Sequence, residues 1–206
     1  MQTRRGQEIE DASMRMIEEE IGSHGYDDSQ WPVVRRVIHS TADFDFAGAN
    51  KILFSQNAVP AGLEAIRRGC RIVADVDGVV GLLSKAGLQR CGVKVICRIS
   101  DPVIAADATK HGVTRSQESM RAAIRDIQDG IVLIGNAPTA LLEVIRMINE
   151  GATRPALVIG IPVGFISAAE SKERLAHTDI EYITNQGRKG GSPSAAAILN
   201  ALLKMA

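Results

Sequence analysis

Short β-branched runs alternate with helical stretches over the last two thirds of the chain, and this alternation restricts the fold more than any other feature. Five runs follow one another: CRIVADV, VKVICRI, GIVLIGN, ALVIGIP and IEYIT. Continuous apolar runs of this length are typical of parallel strands buried on both faces. The helices between them imply right-handed crossovers, and so an α/β fold: a three-layer α/β/α sandwich with a mainly parallel, doubly wound sheet. KILFS, near Lys51, is a further candidate strand.

Helical patterns fill most of the remaining sequence. The first forty residues predict two helices, and the first is amphipathic because one face carries Ile9, Ser13, Met16, Ile17 and Ile21. Between and after the strands, helices are predicted for VVGLLSKAGLQR, residues 102–128, PTALLEVIRMINE, SAAESKERLAH and SPSAAAILNALLKM. Capping boxes are predicted at Ser167 with Glu170 and at Thr114 with Gln117, and Pro138 and Pro193 suit first helical positions.

Composition narrows the class of protein. A chain of 206 residues without a linker or an internal repeat predicts one domain, residues 1–206. The zero net charge and the 3% aromatic content argue against nucleic acid and against an anionic membrane. Three widely spaced cysteines, an acidic start and the lack of a long apolar run predict a cytoplasmic protein with reduced thiols.

Three glycine-containing loops follow predicted strands: GNAPTA (135–140), GIPVGFISAAES (160–171) and NQGRKGGSPS (185–194). In open α/β sheets, ligands bind at the edge where such loops lie, and helix N-termini there favour anions. Arg188 and Lys189 add positive charge to the third loop. Short strand-to-helix turns need glycine in any case, however, and none of the loops matches a dinucleotide-binding or P-loop motif.

VADVDGVVG offers an alternative. A strand that ends in Asp75 and Asp77 resembles the nucleophile motif of haloacid-dehalogenase-like phosphatases, and the two carboxylates could hold magnesium. That class also needs an acidic pair at a later strand end, and neither IVLIGNAP nor VIGIPVGF contains a carboxylate.

His39 is the best candidate for acid/base chemistry. It follows Arg36 by three residues on a predicted helix, so the two side chains share a face, and the helix end should favour the imidazolium. Ser13, on the apolar face of the first helix, either bonds back to the helix backbone or meets a ligand. Arg115 begins a helix and is either a ligand contact or a solvated surface residue. The other histidines, His24, His111 and His177, are expected on the surface.

Taken together, the segments RRVIHSTAD, HGVTRS, IGNAPTALLE, GIPVGFISAAESK and QGRKGGSPSAAAILNAL resemble the precorrin-8X methylmutases, or precorrin isomerases, of cobalamin biosynthesis. The match spans nearly the whole chain. The resemblance implies a shift of a methyl group between adjacent ring-C carbons of precorrin-8X or cobalt-precorrin-8, giving hydrogenobyrinate or cobalt-cobyrinate. It also implies an α/β/α sandwich, a homodimer, and no separate organic cofactor or protein-bound metal.

The resemblance also assigns roles to residues. Its catalytic histidine corresponds to His39, and its substrate-binding residues correspond to Ser13, Arg36 and Arg115, with Ser84 a weaker correspondence. Arg188, in the third glycine loop, joins the predicted substrate-binding set. A non-catalytic tetrapyrrole-binding protein and a magnesium-dependent phosphatase that uses Asp75 and Asp77 are the alternatives.

Overall fold

The computed structural model describes residues 3–206. Its helices are α1 (Arg4–Ile21), α2 (Trp31–Thr41), α3 (Ala58–Arg67), α4 (Asp77–Gly81), α5 (Lys85–Cys91), α6 (Pro102–His111), α7 (Arg115–Ala122), α8 (Ile124–Ile127), α9 (Pro138–Asn149), α10 (Ala168–Ala176) and α11 (Ser192–Met205). Its strands are β1 (Ile52–Phe54), β2 (Arg71–Ala74), β3 (Lys94–Ile96), β4 (Ile131–Ile134), β5 (Leu157–Gly160) and β6 (Tyr182–Asn185). A 3-10 turn, Phe44–Ala47, follows α2.

The six strands form one sheet in the order β1-β6-β5-β4-β2-β3. All neighbouring pairs are parallel except β1 with β6, which is antiparallel at one edge. The predicted doubly wound α/β sheet is therefore confirmed, and KILFS contributes the antiparallel edge strand. After β3 the chain crosses to the other side of β2, so the winding direction reverses between β2 and β4.

Two apolar cores cover the two faces of the sheet. Successive strand residues point to opposite faces, so Ile72 lies in one core and Val73 in the other. The first core is formed mainly by α2, α3 and α11, and the second mainly by α7, α9 and α10. Each fully buried aliphatic side chain stabilises the fold by about 1.5–3 kcal/mol. Helix α1 packs against the rim of the first core, to which it contributes Ile17, its one buried residue.

Most of the predicted helix starts agree with the structure, and one does not. The Thr114–Gln117 capping box is present, Pro138 is the first residue of α9 as predicted, and Pro193 is the second residue of α11, one position after the predicted one. The predicted capping box at Ser167 was wrong. Ser167 has φ +61°, in the left-handed region, and its side chain makes no capping hydrogen bond. A side-chain cap normally requires an extended residue at this position.

Candidate active site

His39 lies in the last turn of α2, where the amphipathic pattern of the helix aims it away from the core. Val33, Val34, Val37 and Ile38 are buried on the opposite side. The imidazole is half-buried in the angle between α1, α11 and the 3-10 turn. The histidine is therefore held on a rigid helix rather than on a loop.

Two open hollows border the imidazole. The first, of about 610 Å³, lies between α1 and α2 and is lined by His39, Ser13, Met16, Ile17, Glu20, Ile38, Ala42 and Phe44. The second, of about 600 Å³, lies between α2 and α11 and is lined by His39, Arg36, Ser40, Leu82, Pro193, Ala196, Ala197 and Asn200. We call these two hollows together the His39 cleft.

A third hollow, of about 650 Å³, continues the cleft, because Arg36 and Asn200 line both it and the second hollow. Its other lining residues are Gln7, Glu10, Ser84, Gly87, Arg90, Leu203 and Lys204. Four of the predicted site residues, Ser13, Arg36, His39 and Ser84, therefore lie along one continuous surface although they come from three different parts of the chain.

The charge state of His39 differs from the expectation. Burial, and then the neighbouring Arg36 guanidinium, lower the pKa of His39 below its ordinary value of 6.5, while the Glu10 carboxylate opposes them. The prediction that the helix end favours the imidazolium was wrong in its net direction. Burial and Arg36 both disfavour the imidazolium, whereas a favourable helix end contributes only about 0.3–1 kcal/mol at an exposed site. The imidazole is thus neutral at pH 7.

Arg36 and Ser13 already have partners within the protein. Arg36 Nη1 donates to Glu10 Oε1 at 2.8 Å, so this guanidinium already has a carboxylate partner on α1. Ser13 Oγ donates to the carbonyl oxygen of Ile9 at 2.9 Å. The first alternative for Ser13, a bond back to the helix, is therefore observed, and the same residue also lines the cleft.

Of the predicted site residues in the described chain, Arg115 and Arg188 line none of the three hollows. Arg115 is the exposed first residue of α7. The Arg188 guanidinium lies 5.8 Å from the ring centroid of Phe165, which is itself 87% exposed. Arg188 and Phe165 belong to two of the predicted glycine loops, so these loops meet each other.

Asp75 occupies the point where the sheet reverses direction. Its carboxylate ends β2 and accepts backbone N–H bonds from the loop after β4: Gly135 at 3.1 Å, Asn136 at 2.8 Å and Ala137 at 2.8 Å. Gly135 also allows close packing of this loop against α4 and α11, because an added Cβ would lie 2.8 Å from Val79 Cγ2 and 2.9 Å from Ser192 Cα. The position that binds ligands in many doubly wound folds is therefore filled by an internal carboxylate.

This geometry argues against the phosphatase alternative. Asp75 is fully buried, and burial raises its pKa despite the three N–H donors, whereas a phosphatase nucleophile must be open to substrate and metal. Asp77 is exposed and bonds to Ser100. Within residues 3–206, no group of three or more His, Cys, Asp or Glu side chains is arranged to hold a metal ion.

The sequence reasoning missed the buried Lys172 and predicted Lys189 only as positive charge in the third glycine loop. Lys172 is 1% exposed, and its ammonium donates to Asn185 Oδ1 at 3.0 Å and to the carbonyl oxygen of Lys189 at 2.7 Å. Burial lowers the pKa of Lys172 to about 8. The Lys189 ammonium in turn pairs with Asp43 and Asp45, both at 2.7 Å. These bonds connect the third glycine loop to the segment that directly follows α2.

His24 also differs from its prediction as a surface residue. It stacks on Trp31 with ring centroids 3.9 Å apart, and its Nδ1 atom is buried.

No helix in the described part of the chain has the length and apolar character needed to cross a bilayer.

Comparisons with known proteins agree with the fold. The family model for precorrin-8X methylmutase matches residues 8–205. A cobalt-precorrin-8 methylmutase of Priestia megaterium is 49% identical over 196 residues, which cover 95% of this chain and 86% of the relative. A precorrin-8X methylmutase of Pseudomonas aeruginosa is 37% identical, covering 97% and 95%. The crystal structure of a precorrin-8X methylmutase from Thermus thermophilus superposes with a TM-score of 0.90 at 40% identity, covering 97% and 96%.

The fold, the cleft and these relatives define an α/β enzyme of the isomerase class, one that moves a methyl group within a single molecule. The chain belongs to the precorrin-8X methylmutase family, whose members serve cobalamin biosynthesis. The family resemblance seen in the sequence is thereby confirmed.

Proposed function

We propose that this methylmutase acts on precorrin-8X or its cobalt-containing counterpart and that His39 is the proton donor and acceptor for the methyl shift. The observation that carries the proposal is the position of the imidazole, which borders two open hollows on a rigid helix. Ser13, Arg36 and Ser84 are the proposed substrate contacts in the same surface. The 49% identity to a cobalt-precorrin-8 methylmutase supports the cobalt form as the first substrate to assay.

The chemistry fits a single titratable group. The methyl shift is intramolecular: the carbon–methyl bond that breaks at one ring-C carbon is re-formed at its neighbour, so no external reagent is consumed. A proton placed on the conjugated ring changes its π-electron distribution, and the same imidazole can take a proton back. General acid/base catalysis of this kind contributes about 10²–10⁴-fold, and rigid positioning of the substrate can contribute more.

The lowered pKa of His39 is compatible with this role. The neutral imidazole of the free enzyme is ready to accept a proton. A tetrapyrrole carries several carboxylate arms, and a carboxylate within about 4–6 Å favours the imidazolium. Binding of the substrate therefore helps to charge the residue that must next donate a proton.

Single-turnover conversion of precorrin-8 tests the proposal. We expect wild-type protein to convert it, and His39→Ala to fold, bind the product and lose turnover by about 10²–10⁴-fold. His177→Ala is the matched control, because His177 lies on the opposite helix layer, at the end of α10. Normal turnover by folded His39→Ala would refute the acid/base role. Product binding without any turnover by the wild type would favour the non-catalytic tetrapyrrole-binding alternative.

We also propose that the chain forms a single domain, assembles as a homodimer and works in the cytoplasm. Support for a dimer comes from large apolar side chains that the single chain leaves exposed, above all Phe165 and Ile166. The three cysteines are free, which is compatible with a reducing compartment. Light scattering coupled to gel filtration tests the dimer, and a mass of one chain at micromolar concentration would contradict it.

A further inference from the structure

The third hollow has a strong excess of positive charge. Three cationic side chains line it, Arg36, Arg90 and Lys204, with one carboxylate, Glu10. Glu10 Oε1 accepts from Arg36 Nη1 at 2.8 Å and lies 3.4 Å from Lys204 Nζ. One carboxylate oxygen therefore serves two cations at once.

The remaining cation, Arg90, is held by a neutral acceptor. Its guanidinium donates to the carbonyl oxygen of Leu203, the residue before Lys204 on α11. A guanidinium has five N–H donors, so a bond to one carbonyl fixes its position and leaves it able to bind a carboxylate. Arg90 thus brings to the hollow a full positive charge for which no ion pair is seen among residues 3–206.

The hollow is also continuous with the His39 cleft. Arg36 and Asn200 line both. Asn200 holds the adjoining turn in place, because its Oδ1 accepts from Ser84 N at 2.8 Å and its Nδ2 donates to the carbonyl oxygen of Leu82 at 3.0 Å. A ligand whose ring lies beside His39 can therefore extend a side arm past Arg36 into a pre-shaped cationic hollow.

We propose that the third hollow is a subsite for one carboxylate arm of the substrate and that Glu10 is a built-in placeholder for that carboxylate. The inference rests on the proposed function and deepens it, by assigning Arg90 and Lys204 to substrate binding and Glu10 to competition with it. In the empty protein Glu10 neutralises part of the charge on Arg36 and Lys204. A bound carboxylate arm replaces Glu10 as the partner of these cations and also pairs with Arg90.

A placeholder of this kind favours carboxylate ligands over neutral ones. A ligand carboxylate replaces the ion pairs of Glu10 with new ones, whereas an amide displaces Glu10 without neutralising the cations. The side chain of Glu10 is only 13% exposed, while that of Lys204 is 70% exposed. The cations are therefore more accessible to an incoming arm than the carboxylate that holds them.

Equilibrium titration with hydrogenobyrinate, followed by its absorption band, tests the subsite. We expect Arg90→Ala and Lys204→Ala each to raise the Kd about tenfold, which corresponds to about 1.4 kcal/mol. Glu10→Gln should lower the Kd by about the same factor. Titration of wild type and Glu10→Gln with a product whose carboxylates are all amidated is the second arm, and both proteins should bind it more weakly than hydrogenobyrinate, because an amide arm does not neutralise the cations.

Arg68→Ala is the matched control, because Arg68 forms an exposed ion pair with Glu64 at the end of α3. If Arg90→Ala loosens the contact of α5 with α11, the exposed Lys204→Ala and the Glu10→Gln variant still decide the result. Wild-type affinity in all three variants, or weaker binding by Glu10→Gln, would overturn the subsite while leaving the proposed function standing. Failure of the wild type to bind or convert any tetrapyrrole would instead overturn the proposed function.

Discussion

Two clusters of arginine and carboxylate side chains lie on opposite helix layers, and they differ in the sign of their excess charge. Between α7 and α9, three carboxylates surround two guanidiniums: Glu118, Arg121, Glu143, Arg146 and Glu150. Around the third hollow, next to the His39 cleft, three cations stand against one carboxylate, which pairs with two of them: Arg36, Arg90, Lys204 and Glu10.

The two clusters also differ in burial. Glu143 is 3% exposed and accepts hydrogen bonds from Arg121 Nε at 2.7 Å and Arg146 Nη2 at 2.6 Å, so it joins α7 to α9. The cleft cluster instead lines an open hollow. Buried carboxylates with full sets of donors contribute to folding, whereas cations in excess at a hollow leave binding capacity for an anionic ligand. Residue type alone does not separate these roles.

Among these substitutions, Arg36→Ala should cause the largest change, a loss of ligand affinity at the cleft. We expect affinity for the tetrapyrrole product to fall about 10–100-fold, because charge-assisted bonds contribute about 1.5–3 kcal/mol. The free energy of unfolding should change by less than about 1 kcal/mol, because the pair is partly exposed and Glu10 keeps Lys204. Product titration and urea denaturation of the same sample measure both. A large loss of stability with unchanged affinity would make Arg36 equivalent to the α7–α9 cluster.

Glu143→Gln should show the reverse pattern. Burial raises the pKa of Glu143, but hydrogen bonds from Arg121 and Arg146 bring this pKa below its ordinary value of 4.5. We expect a loss of about 1–3 kcal/mol in the free energy of unfolding at pH 7, with turnover of the folded protein unchanged. A carboxyl with a lowered pKa stabilises the fold above its unfolded pKa and loses that effect as the pH falls. The difference in the free energy of unfolding between variant and wild type should therefore shrink below about pH 4.5. Urea denaturation at a series of pH values measures this difference. Full stability with lost turnover would be the contrary result.

Lys172→Met should have the smallest effect on the free energy of unfolding at neutral pH, and its effect should change with pH above pH 8. The pKa of Lys172 is about 8 in the folded protein, and its ordinary value is 10.5. Between pH 8 and pH 10.5, Lys172 is therefore protonated in the unfolded chain and neutral in the folded one. Wild-type stability relative to the variant should therefore rise from pH 8 to pH 10 and stay level below pH 8. Urea denaturation of both proteins over this range measures the difference. A constant difference would mean that the Lys172 ammonium is solvated as an ordinary surface lysine.

The sequence predicted the fold because its patterns are local. Alternation of apolar runs with helical periods gave the sheet, and the family motifs indicated His39. The contact of Asp75 with the loop at Gly135 joins residues about sixty positions apart, and no local pattern marks it. The lowered pKa of His39 also escaped prediction, because it depends on burial between helices and on Glu10 from α1. Burial of Lys172 was missed for the same reason.

The most direct test of the account is the imidazole signal of His39 in NMR spectra during titration with hydrogenobyrinate. We predict an apparent pKa below 6.5 in the free protein, and a shift of the His39 signals that saturates with bound product while those of His177 stay in place. Saturable binding of the product with no change at His39 would contradict the placement of the tetrapyrrole in the His39 cleft.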